Sequence, residues 1–290
     1  MALQNLKDFH RPRTIDEVLA LLGREEETLV LSGGTFLHGL EARGLLSGVE
    51  ALVDIRGLGL DQVDENEDGI AAGATVTFAK LQGVVAAKNA AWLGALSDAL
   101  EYPPVQVRNT ATLGGCVAAS CPFFDIPTAL VALDTEVRIH GAEGERQIPL
   151  PELFFGLFGN SLEEGEFITG VIIPRASGNT AGAFIKLEGS ANDLAIVNAA
   201  VLVTLGPDRV CTSARVALGG GVADSVVRSP AAEAILLGSE LDAATLQAAG
   251  DAVINDIDPM SDHRASAAYR RQVAKVMTRR ALERAVARLA

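Results

Sequence analysis

Two pairs of adjacent glycines are the positions best suited to chemistry in this chain: Gly33-Gly34 in LVLSGGTFLHGL and Gly114-Gly115 in RNTATLGGCVAASCPFFDIPTALVAL. With no Cβ in the way, neighbouring glycines let backbone N–H groups face outward. A strand, a glycine turn and a helix N-terminus in succession can then cradle phosphate oxygens. Thr35 and Thr112 flank the two turns and can add hydroxyl donors. Neither stretch has the GxGxxG spacing of a dinucleotide fingerprint or the GxxxxGK[ST] of a P-loop. Each pair alone is more often a tight turn than a ligand loop; two of them, each after a β-prone run, narrow that difference. Asp125-Ile126-Pro127 follows the second pair and opens an apolar helix. Its carboxylate fits two roles, an N-cap for that helix or an acceptor for ligand hydroxyls.

Other candidate chemistry is thin. His10, His38, His140 and His263 have no metal-ligand spacing, and there is no nucleophile elbow. Cys116, Cys121 and Cys211 cannot all pair and lack a CxxC spacing, so they read as reduced, small apolar residues. No catalytic residue and no metal ligand is assigned. The net charge of −13 is uneven: from Arg264 onward there are eight basic residues against Glu283 alone, which leaves −20 on the remainder. Such an acidic body disfavours nucleic acid. The basic tail fits either a solvated helix face or a docking surface for an acidic partner.

The elements that must position these residues alternate at first. Thr14-Ile15-Asp16-Glu17 has the form of a capping box ahead of an apolar helix that Gly23 stops. Strands are expected at 28–31 and 51–55, with a helix at 35–42 between them, a small parallel unit. A strand at 69–74, helices at 77–87 and 89–100, and a helix at 126–133 follow. Paired strands are expected at 136–140 and 147–150, a lobe-plugging helix at 151–159, and a strand at 166–173. A polar linker at 175–179 precedes β-prone runs at 183–188, 195–205 and 210–219, which suggest an antiparallel sheet. Helices at 230–237, 241–254 and 265–289 close the chain. At 290 residues and 49 % hydrophobic content the chain can bury two lobes. No apolar run is long enough for a transmembrane helix, and the N-terminal stretch lacks a signal core, which points to a cytoplasmic protein.

In order along nearly the whole chain, the motifs Ser32-Gly33-Gly34-Thr35, Gly73-Ala74-Thr75-Val76-Thr77, Gln106-Val107-Arg108-Asn109, Thr112-Leu113-Gly114-Gly115-Cys116, Pro122, Asp125-Ile126-Pro127 and Ala265–Arg271 resemble the FAD-binding middle subunit of the molybdenum hydroxylases, the xanthine dehydrogenase and carbon monoxide dehydrogenase family. The resemblance implies an α+β fold. A two-subdomain FAD-binding lobe of the vanillyl-alcohol-oxidase-like, PCMH type would occupy residues 1–175, divided near residue 56. A C-terminal antiparallel sheet with helices would occupy 180–290.

The resemblance also implies FAD contacts at Val30, Leu31, Ser32, Gly33, Gly34, Thr35, Phe36, Thr75, Thr112, Gly114, Gly115, Cys116, Ala119, Asp125, Ile168 and Lys186. Lys186 equally fits an ordinary surface lysine. Three departures from the family pattern stand out: Cys116 replaces the usual Asn, Ala119 stands where some relatives have a hydroxyl, and no basic residue follows Lys186 in LEGSAN. The implied function is an electron-transfer subunit. An iron–sulfur small subunit with [2Fe-2S] clusters and a molybdopterin large subunit would be its partners, as a dimer of heterotrimers, with NAD, quinone or oxygen as acceptor. The alternatives are a free-standing FAD-dependent oxidase or dehydrogenase of the same fold, and an assembly subunit that has lost its flavin.

Overall fold

Three sheets carry the chain, and the computed structural model describes them within residues 3–24 and 27–289. β1 (Asp8–His10) leads to α1 (Ile15–Leu22), whose start is set by the capping box. The Thr14 hydroxyl accepts from the Glu17 amide at 3.2 Å, and the Glu17 carboxylate accepts from the Arg13 amide at 2.6 Å. β2 (Thr28–Leu31), α2 (Thr35–Glu41) and β3 (Ala51–Asp54) complete a three-stranded parallel sheet in the order β1-β3-β2.

The chain then enters a five-stranded antiparallel sheet through β4 (Val63–Glu65) and β5 (Gly69–Gly73). Helices α3 (Phe78–Lys88), α4 (Gly94–Glu101), α5 (Val105–Thr110), α6 (Leu113–Ala118) and α7 (Ile126–Ala132) follow. Strands β6 (Glu136–Gly141) and β7 (Gly144–Pro149), the short helix α8 (Leu150–Leu153) and β8 (Phe167–Pro174) close this part in the order β4-β5-β8-β6-β7. β9 (Asn179–Glu188), β10 (Ala195–Leu205), β11 (Cys211–Gly219) and β12 (Val227–Arg228) form the third, antiparallel sheet. α9 (Pro230–Leu236), α10 (Ala243–Ala252) and α11 (Ala267–Val286) complete the chain. Among the described residues no helix is long and apolar enough to cross a membrane.

The third sheet is covered on both faces, which explains the almost unbroken apolar run AIVNAAVLVTL of β10. α11 lies on one face, and all seven residues of α7 are buried against the other. Phe184, Ala200 and Ala217 of this sheet join the core of the five-stranded part, so the two lobes share one continuous apolar interior. Polar clamps reinforce it. Asp98 on α4 accepts from Arg288 at 2.7 and 2.9 Å and from the Phe184 amide at 3.0 Å. Arg284 donates to the Phe184 carbonyl, and Arg270 is wholly buried among the Ile196, Met260 and Ala265 carbonyls. Much of the basic tail is therefore internal mortar rather than a free docking face; Arg280 stays exposed.

Three local expectations fail for identifiable reasons. The helix at 151–159 ends at Leu153, because Gly156 and Phe158 adopt φ of 62° and the Phe155 amide bonds across a tight loop to Gly159. The helix at 89–100 begins at Gly94, since Asn89 turns left-handed to cap α3 and a 3-10 turn intervenes. The second glycine pair lies inside α6 rather than in an open loop. Its first turn is pinned by bonds from the Leu113 and Gly114 amides to the Val76 and Ala74 carbonyls.

Candidate functional site

β2 delivers the chain into Ser32-Gly33-Gly34-Thr35, where Gly34 (φ 70°) turns left-handed and caps α2. Glycine is the residue that takes this turn without strain. Gly33 answers a different constraint: a Cβ there would sit 2.1 Å from the Thr110 carbonyl oxygen, so the first turn is pressed against the approach to the second. At Gly114 a Cβ would meet the Ala74 Cβ at 2.5 Å. These two glycines allow backbone segments to touch, and a side chain at either would strike neighbouring chain atoms. Only Gly115 of its pair is exposed. Its neighbours Gly114 and Cys116 spend their amides on the Ala74 and Thr112 carbonyls, both at 2.9 Å, so those two amides do not face outward. In α2 the hydrogen bonding starts with the His38 amide to the Gly34 carbonyl, so Thr35 and Phe36 precede the first intrahelical bond.

Both turns open into a cavity of about 1440 Å³. Val30, Ser32, Gly33, Gly34, Thr35 and Phe36 line it from one side; Thr112, Gly115, Cys116, Ala119, Asp125 and Lys186 line it from the other. Four of the anticipated residues are not in its wall. Ile168 packs in the core opposite Ile139, Gly114 backs onto Ala74, Thr75 lies buried behind with its amide bonded to the Leu60 carbonyl, and Leu31 turns beneath the first glycine turn. The Ser32, Thr75 and Thr112 hydroxyls are buried without a hydrogen-bond partner. Such groups are costly to leave unmet. Those of Ser32 and Thr112, beside the glycine turns, fit a ligand bearing oxyanions. His38 lies outside the cavity wall with its side chain 83 % exposed, within 3.7 Å of Glu41.

Asp125 and Lys186 form a buried pair at 2.9 Å, which overturns the surface-lysine alternative. Asp125 heads α7 without capping it; its other oxygen accepts from Asn198 at 3.3 Å. Burial pushes the Asp125 carboxyl up to about 6, against the opposing pull of Lys186 and the Asn198 hydrogen bond. The Lys186 ammonium also lies 3.1 Å from Glu188 and 5.1 Å above the Tyr102 ring. Burial likewise holds the Cys116 thiol well above its usual range, which keeps it protonated and unreactive.

The sequence reading missed an aromatic rim. Phe36 meets Phe124 edge-on at 5.8 Å and Phe158 at 6.3 Å, and Phe158 approaches Phe123 at 6.4 Å. The runs CPFFD and FFGLF carried that signal. Met260, Asp262, His263 and Arg264, just before α11, also reach the cavity, and nothing local in their sequence announces it. Taken together, the cavity offers polar donors around the glycine turns and flat apolar walls beyond them. That suits an elongated ligand with an anionic middle and a ring system.

The chain matches a family model for the FAD binding domain in molybdopterin dehydrogenase over residues 4–176, and one for the CO dehydrogenase flavoprotein C-terminal domain over residues 182–285. It is 33 % identical to the 6-hydroxypseudooxynicotine dehydrogenase complex subunit alpha of Paenarthrobacter nicotinovorans, across 97 % of this chain and 95 % of that one. It is also 33 % identical to the carbon monoxide dehydrogenase medium chain of Afipia carboxidovorans, across 97 % of both. A solved carbon monoxide dehydrogenase from Hydrogenophaga pseudoflava superimposes with a TM-score of 0.91 at 31 % identity, covering 98 % of this chain and 99 % of that one.

Proposed function

The chain belongs to the family of FAD-binding subunits of the molybdenum hydroxylases, and from that premise we propose that it is the electron outlet of a multi-subunit oxidoreductase. Substrate oxidation then takes place at molybdopterin on a separate large chain. Electrons cross [2Fe-2S] clusters on a small chain, reach the flavin site of this one, and leave to an external acceptor. The assembly is a cytoplasmic dimer of heterotrimers. Bound FAD supplies a centre able to exchange electrons singly or in pairs, and the protein supplies position and electrostatics.

The observation that carries this reading is the cavity onto which both glycine turns open, with the Ser32 and Thr112 hydroxyls buried beside it and unpartnered. Those hydroxyls, the Thr35 and Phe36 amides and the exposed edge of Gly115 would hold the diphosphate without a lysine. The Asp125–Lys186 pair and the aromatic rim would flank the ring. The family resemblance adds that the flavin is held without a covalent bond.

Isolation of the native assembly through an affinity tag on this chain tests the reading. The expected preparation contains an iron–sulfur chain and a molybdopterin chain, with FAD in proportion to this subunit and released to the supernatant by acid. A chain that purifies alone, with its flavin reduced directly by a small organic substrate, would refute the route and favour a free-standing oxidase.

A further inference from the structure

One wall of the cavity arrives from far along the chain, in the segment that leads into α11, and Arg264 is its anomalous member. The guanidinium stacks 4.1 Å from the centroid of the Phe123 ring, and its side chain is only 15 % exposed. Among the described residues its Nε and Nη1 are buried with no hydrogen-bond partner. Nη2 reaches only Oδ2 of the Asp262 carboxylate, at a long 3.4 Å. Its Oδ1 accepts from Arg270 Nη2 at 2.8 Å and from the amides of Arg264 and Ala265 at 2.8 and 3.0 Å. One carboxylate thus serves two guanidiniums. Lys186, the other cation on this side, is claimed at close range by Asp125 and Glu188. Arg264 is left as a permanently charged group with idle donors, in the wall of a ligand cavity.

Two kinds of oxyanion could answer it: the phosphates of the bound cofactor, or the ring after reduction. The glycine turns and the unmet Ser32 and Thr112 hydroxyls already form a polar end drawn from the first 115 residues. Arg264 enters in the company of Phe123, Leu194 and Met260, which are walls for a flat ring. We propose that Arg264 is a binding residue for the reduced flavin ring, stabilising the negative charge that the ring gains on reduction. This rests on the flavin reading above. Two electrons and one proton convert the neutral oxidised ring to a monoanion with its charge over N1, C2 and O2. A fixed cation favours that form and so raises the reduction potential.

The test compares full-length wild type, Arg264→Gln and Arg264→Lys. Oxidised FAD affinity is measured by titrating the flavin-free chain, and the two-electron midpoint potential by dye-equilibrated reduction with dithionite. Arg264→Gln is expected to hold oxidised FAD within about threefold of wild type while losing roughly tenfold in preference for the reduced form, a fall of about 30 mV. Arg264→Lys, which keeps the charge, should recover at least half of that fall; if the Gln variant fails to fold, neutral Arg264→Met takes its place with the same expected fall. Equal loss of oxidised and reduced affinity would make Arg264 a phosphate contact and overturn the proposal. An unchanged potential in flavin-loaded Arg264→Gln overturns it while leaving the flavin reading intact. A wild type that binds no FAD sinks both.

Discussion

Replacing Gly115 with aspartate separates a ligand cradle from a mere turn. Gly115 is exposed, its backbone is not left-handed, and an added Cβ meets only the Thr112 hydroxyl at 2.9 Å. That hydroxyl has no partner to lose when it rotates. Exchanging a glycine within α6 changes helix propensity by less than about 1 kcal/mol, so the fold should survive. Gly33 and Gly114 are poorer choices, since any side chain there strikes neighbouring chain atoms, and Gly34 carries a left-handed turn. The cost in binding is electrostatic. A carboxylate about 5 Å from a phosphate charge, at an effective dielectric near 20, repels it by about 3 kcal/mol. Two such charges give roughly 6 kcal/mol, or about four orders of magnitude in Kd. Flavin absorbance per protein, measured beside a thermal melt, reads the two effects separately, and neutral Gly115→Ser controls for size. A soluble, normally melting Gly115→Asp chain with wild-type flavin content would show that this turn holds no phosphate.

Two further outcomes follow from the buried charges. Asp125 has its carboxyl raised from 3.8 to about 6 by burial, so the folded chain binds that proton more tightly than the unfolded one. The resulting stability is complete below about pH 4 and is lost as pH rises through 6, on the order of 2–3 kcal/mol. Urea midpoints of flavin-free wild type and Asp125→Asn should therefore draw apart in the wild type's favour as pH is lowered across that window; parallel curves would contradict it. Asp98→Ala removes the acceptor shared by Arg288 and the Phe184 amide, where α4, β9 and the chain end just beyond α11 meet. It should destabilise the chain by about 2–4 kcal/mol, seen as a lowered melting temperature, and a change below about 0.5 kcal/mol would mean the clamp is idle.

Local chemistry was legible wherever neighbouring residues settle it. The Thr14–Glu17 capping box, the Ser229-Pro230 helix start and the alternating strands need only their own few residues. The glycine turns were legible too, as were Thr112 and Asp125 beside them. The reasons behind them were not. Gly33 is glycine because the Thr110 carbonyl lies against it, and Gly114 because Ala74 does, and neither contact is visible from spacing. Lys186 reads the same on a surface or in a core; three elements have to converge before Asp125, Glu188 and Tyr102 surround it. Arg264 stands well over a hundred residues from Phe123, and only packing stacks its guanidinium on that ring with Nε and Nη1 buried and unmet. Propensity and capping act over a few residues, so a sequence displays them directly. Desolvation and competition for one acceptor arise when distant segments pack, and the folded chain alone brings those partners within reach.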